Sequence, residues 1–106
     1  MTKVHILTKH GLSQNLIKLA LGDLAFELVF HFEENLSTDF VHKQDLVVVD
    51  DAAFTTSTDL ALVLNNLAVV KKGVLLQSQA KEISLPDGFS KLVKPFNPAD
   101  LRKLLS

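Results

Sequence analysis

Two short, mostly apolar runs rich in β-branched residues, Val4–Leu7 and Leu46–Val49, constrain this chain most. Polar residues flank each run, the pattern of strands buried on both faces, which arises where helices cover a parallel sheet. Between them, Ser13 is a candidate N-cap for a helix whose Leu16, Leu19, Ala20 and Leu24 recur at three- and four-residue spacing. Phe26–Phe32 reads as a second strand with Glu27 and His31 as polar members, and Glu33–Lys43 has room for one or two helical turns. Thr55 to Asp59 offers N-caps for a helix over Asp59–Lys71, with Leu60, Leu64, Leu67 and Ala68 on one face and Gly73 as its stop. Lys71 and Lys72 suit the negative end of that helix. Val74–Leu76 and Leu92–Val93 supply two more strands, and Asn97-Pro98 gives a cap and first-turn proline to a last helix, Pro98–Leu105.

Alternating strands and helices with buried strands imply right-handed crossovers and a doubly wound sheet. Five strands predict an α/β, flavodoxin-like domain of parallel order 2-1-3-4-5, with chemistry confined to the carboxyl ends of the strands near the switch between strands one and three. The residues there are Thr8, Lys9 and His10, then Asp50 and Asp51, Ser78, and Lys94. A chain of 106 residues has room for one core, so residues 1–106 are read as a single domain, open to being one part of a longer regulator.

Composition narrows the function. Eleven basic against twelve acidic residues leave a charge of −1, with no basic field for a nucleic acid. Apolar runs of four or five residues fall far short of the ~20 that a membrane helix needs. The absence of cysteine removes disulfides, thiolate metal sites and thiol nucleophiles, and a cytoplasmic location is expected. One asymmetry stands out: no Asp or Glu occurs among the first 22 residues.

Three segments in order carry a family resemblance. KLVKPFNPADLRKLL places Lys94 in a Lys-Pro-Phe turn before a capped helix, DLVVVDD runs from Asp45 to Asp50 and Asp51, and VLLQS ends on Ser78. Over essentially its whole length the chain resembles the receiver domain of two-component response regulators, the CheY-like superfamily. The resemblance puts Asp50 at the phosphoacceptor position, Lys94 at the conserved lysine and Ser78 at the hydroxyl position that ends strand four.

The departures from that pattern carry most of the functional argument. Receivers follow strand one with an acidic pair that holds Mg²⁺, and here Thr8 and Lys9 stand in those places. Magnesium takes hard oxygen ligands, usually including one or two carboxylates. A cation there replaces part of the metal's charge, since unit charges about 4 Å apart interact by roughly 4 kcal/mol at an effective dielectric of 20. Asp50 is therefore expected to pair with Lys9 or Lys94. Asp51 is a weak substitute ligand, because successive strand residues point to opposite faces. The aromatic switch that receivers carry three positions before the lysine is here Lys91, with Phe89 the nearest aromatic. Only fifteen residues (79–93) separate Ser78 from Lys94, and Pro86-Asp87-Gly88 reads as a turn among them, so the fourth helix is expected to be shortened or missing.

These features predict a phosphorylation-independent pseudo-receiver, a protein-interaction module of two-component signalling without enzymatic activity, cofactor or resident metal. Ile83, Leu85 and Phe89 read either as core residues laid over the sheet face that a fourth helix would cover or, with Lys91, as its candidate surface for a protein partner or a homodimer. The alternative is a receiver that takes a phosphoryl group on Asp50 from a histidine kinase, supported by Ser78, Lys94, Thr8 and Lys9, with a weak Mg²⁺ site on Asp50 and Asp51. Other chemistry has little to build on. His5, His10, His31 and His42 lack metal-site spacing, and His5 and His31 read as sheet or boundary residues on neighbouring strands. His10, Ser13 and Asp50 lack the strained elbow and oxyanion loop of a hydrolase, and the four glycines form no phosphate cradle.

Overall fold

The computed structural model describes residues 2–9, 11–31, 42–54, 56–79, 82–94 and 96–105. Its strands are β1 (Thr2–Leu7), β2 (Phe26–His31), β3 (Leu46–Asp50), β4 (Lys72–Gln77) and β5 (Phe89–Val93). Helices α1 (Gly11–Leu21), α2 (Ser57–Asn66) and α3 (Pro98–Leu105) lie between and after them. The strands form one parallel sheet in the order β2-β1-β3-β4-β5. This is the doubly wound flavodoxin-like topology that the strand pattern predicted.

Strand alternation divides the core in two. Val4, Ile6, Val48 and Leu76 meet Ile17 and Leu21 of α1 and Leu101 and Leu105 of α3 on one face. Leu7, Val47, Val49 and Leu75 meet Leu60, Val63 and Leu64 of α2 on the other. Every residue of β3 is buried, as expected of the central strand of a covered sheet. On the first face, Arg102 of α3 holds both carboxylate oxygens of Asp23 at 2.8 Å.

The helix ends show where local signals succeed and where they slip. Asn97 caps α3 through Oδ1, which accepts the Ala99 N–H at 2.9 Å, and Thr56 caps α2 by accepting the Asp59 N–H at 3.1 Å. Helix α1 begins at Gly11, so Ser13 lies in its first turn rather than at the cap. Helix α2 ends at Asn66 and passes into a 3₁₀ turn over Leu67–Val69, earlier than the expected Lys71. The reason is that the Lys71 N–H already belongs to the sheet, donating to the Asp45 carbonyl at 3.1 Å.

Gly73 consequently stops no helix; it lies buried within β4, opposite Phe89 in β5. A Cβ on Gly73 would run into the Phe89 ring, so glycine is required there by close approach. Gly88 turns the chain into β5 with φ +86°, in the turn expected from Pro86-Asp87-Gly88. Residues 82–88 contain no helix. The expected helical turns over Glu33–Lys43 fall largely outside the described residues; His42 and Lys43 open a turn closed by Asp45 N–H to His42 C=O at 3.0 Å. Among the described residues no helix is long and apolar enough to cross a membrane.

Candidate functional site at the carboxyl ends of the strands

The ends of β1, β3, β4 and β5 bring Thr8, Asp50, Ser78 and Lys94 to one edge of the sheet. Asp50 is the last residue of β3 and its side chain is fully buried. Its Oδ1 accepts from Lys94 Nζ at 2.5 Å and from the Ala52 N–H at 3.1 Å. Its Oδ2 accepts from the Thr8 hydroxyl at 3.1 Å. A buried carboxylate requires compensation of both its charge and its lone pairs, and three donors provide it here.

Backbone bonds fix these donors. The Thr8 N–H donates to the His31 carbonyl at 3.1 Å, which seats Thr8 beyond β1 with no exposed surface. The Lys94 N–H donates to the Gln77 carbonyl at 2.8 Å, which extends the β4–β5 pairing by one residue and sends the ammonium across the end of β4. Lys9, the other cation expected near Asp50, is exposed. The side chains of Lys94 and Thr8 both bond Asp50.

Asp51 behaves differently from a continuing strand residue. The chain leaves β3 into a 3₁₀ turn, Asp51–Ala53, capped by the Asp50 side chain. That turn removes the strict alternation expected of Asp51, and its carboxylate reaches the end of β4 instead. Oδ2 accepts the Ser78 N–H at 3.0 Å and Oδ1 the Ser78 hydroxyl at 2.9 Å. The Ser78 hydroxyl hydrogen is thus given to Asp51.

Beside this pair, an open depression of about 410 Å³ is lined by Asp51, Thr56, Leu60, Gln77, Glu82 and Ile83. The sequence carried no signal for it, because it forms where α2 and the β4–β5 connection diverge. Ile83, Leu85 and Phe89 are half-buried and pack against the α2-side core, while Lys91 is exposed on β5. His10 and the side chain of Ser13 lie outside the described residues; among the described residues Asp50 bonds Thr8, Ala52 and Lys94.

Magnesium suits this donor set poorly. The two positions after β1 hold a hydroxyl already given to Asp50 and a lysine, Lys94 sits directly on Asp50, and Asp51 is occupied by Ser78. A divalent cation would have to displace an ammonium from a buried carboxylate, and the remaining groups supply few of the oxygens its octahedron needs.

No protein-family model matches the chain, and no curated protein matches it in sequence. Among solved structures it is similar to the crystal structure of a response regulator receiver domain protein (CheY-like) from Methanospirillum hungatei JF-1. That match has a TM-score of 0.64 at 20% identity and covers 96% of this chain and 89% of the other. At this identity the likeness establishes a shared receiver-like fold.

Proposed function

We propose that this chain is a pseudo-receiver, a non-enzymatic protein-interaction module of two-component-type signalling that works in the cytoplasm without phosphorylation. The observation that carries this reading is the Asp50 carboxylate, fully buried and bonded by Lys94, Thr8 and the Ala52 amide. A phosphoacceptor must present an oxygen to an incoming phosphorus, and transfer depends on positioned cations that neutralise the transferring group. Here the cation is an internal lysine and the acceptor oxygens are in use. Lys94 and Thr8 thereby hold the loops after β1, β3 and β5 in one arrangement, the role that a ligand-dependent site would leave open.

The surface offered to a partner in this reading is segment 82–88, which holds no helix, with β5 itself. Ile83, Leu85 and Phe89 support it from the core, Lys91 is exposed on it, and Val93 is 40% exposed. A protein partner or a second copy of the chain is the ligand class of this reading, because a net charge of −1 supplies no basic field for a nucleic acid.

The second reading, phosphoacceptance at Asp50, is favoured by one feature: Lys94 lies where it could neutralise a phosphoryl group. Nuclear magnetic resonance titration with Mg²⁺ and then beryllofluoride separates the two. The pseudo-receiver predicts no specific shifts at Asp50, Ser78 or Lys94 at millimolar Mg²⁺, with or without beryllofluoride. Specific shifts centred on those residues would replace it with the phosphoaccepting reading. Thr8→Asp combined with Lys9→Asp is expected to create metal binding by supplying the missing carboxylates.

A further inference from the structure

A second buried polar chain lies away from Asp50, on the sheet face that carries Leu7, Val47 and Val49. His5 sits in mid-β1 and is 3% exposed. Its Nε2 lies 2.9 Å from Asp45 Oδ2 and its Nδ1 lies 3.2 Å from His31 Nε2. The two rings are tilted by 32° with centroids 5.4 Å apart. Asp45 also accepts the His42 N–H at 3.0 Å.

Hydrogen-bond chemistry gives this chain a direction. An ionised carboxylate only accepts, so His5 Nε2 carries its proton and donates to Asp45. In neutral His5 the other nitrogen, Nδ1, is then an acceptor, and His31 Nε2–H donates to it. One added proton can be taken up if the His5–His31 link reverses: Nδ1 of His5 becomes the donor, and His31 carries its own proton on Nδ1. A second added proton has no such solution, because both facing nitrogens would bear hydrogens across 3.2 Å.

We propose that Asp45, His5 and His31 form a one-proton store that ties the edge strand β2 to β1 and to the turn before β3, and that a second proton opens this edge. Two electrostatic effects agree with it. Burial, together with repulsion from His5, holds His31 below the ordinary imidazole value of 6.5. Burial pushes Asp45 up, but the His42 amide, the His5 hydrogen bond and the charges of His5 and His42 outweigh it and leave the carboxyl below its ordinary 3.8. The other ionisable groups of the surrounding elements are Lys3 on β1 beside Glu27 on β2, Lys9 beyond β1, His42 and Lys43 in the turn, and Asp59 on α2. Segment 32–41, outside the described residues, adds Glu33, Glu34 and Asp39 in sequence.

The test uses the full chain labelled with ¹⁵N-histidine in the presence of EDTA. Above neutral pH, both rings are expected as Nε2–H tautomers. On acidification the His5 and His31 nitrogens should move together in one shared step, the behaviour of a coupled pair, and the next step should coincide with loss of the β1–β2 amide signals. His31→Gln, which can donate or accept at the same place but cannot titrate, should remove the pair's contribution of about one proton to the slope of unfolding stability against pH below 6.5. Independent midpoints for the two rings, or an unchanged slope in His31→Gln, would overturn the proposal. So would a joint shift of both rings when Zn²⁺ replaces EDTA, since that would make the facing nitrogens a metal pair.

Discussion

Asp45 just before β3 and Asp50 at its end are both buried, and their neighbours give them opposite characters. Asp50 is paired with the ammonium of Lys94. Asp45 is paired with His5 and through it with His31, which burial and His5 hold below the ordinary imidazole value. The same side chain is thus a fixed clamp at the end of β3 and part of a hydrogen-bonded histidine chain just before it. Burial alone does not make an aspartate functional; the titration behaviour of its partner decides what it can respond to.

The comparison breaks most forcefully at Lys94. Lys94→Met leaves a buried carboxylate without its countercharge and is expected to cost about 3–5 kcal/mol in urea unfolding. Adding Asp50→Asn to that variant should recover much of the loss, because the uncompensated charge is gone. A Lys94→Met protein as stable as the wild type would mean that Asp50 is not held by this pair.

Acid separates the two ends next. His31 binds protons less readily in the folded chain than in the unfolded one, so its contribution to stability declines as pH falls below 6.5. Asp45, whose value is depressed, adds a contribution present above 3.8 that is lost as pH falls through its folded value. Urea midpoints should therefore fall in two stages on acidification. In His31→Gln the first stage should shrink while the second stays.

Smaller effects sharpen the boundary of each cluster. Thr8→Val removes one donor to Asp50 while keeping the shape, with an expected loss of about 1–2 kcal/mol. Gly73→Ala should cost about 1–3 kcal/mol by pushing the Phe89 ring out of place, and Phe89→Leu should recover part of that by relieving the contact. Arg102→Gln should leave the urea midpoint unchanged within error. Its bond favours the ionised form of Asp23 and holds the carboxyl below its ordinary 3.8, but Asp23 is exposed and solvent screens the pair.

Much of the fold is legible in the chain because buried parallel strands leave a strong mark. LVVVD and the capped Asn97-Pro98 helix were readable in place, and so were the five strands and their order. The site was readable by position: Thr8, Asp50, Ser78 and Lys94 do converge at one edge. What escaped was the choice of partners. Alternation places Asp51 away from the site, yet a 3₁₀ turn brings its carboxylate to Ser78. Gly73 looks like a helix stop from its neighbours in sequence, whereas its reason is the ring of Phe89, sixteen positions away. His5 and His31 were readable as neighbours in the sheet, but their link to Asp45 depends on a turn that carries no periodicity.

By itself, then, the sequence determined the layers: apolar runs and helical spacing act locally, so they specify which segments are strands, which are helices and which end of the sheet gathers polar residues. It also determined that the positions after strand one lack the acidic pair of receivers. Only the tertiary structure decided that Lys94 neutralises Asp50 with help from Thr8, that Asp51 takes Ser78, and that Asp45 joins two histidines. Those outcomes turn on distances of about 3 Å between residues 26 to 44 positions apart, and charge pairing at that range is set by how the strands stack.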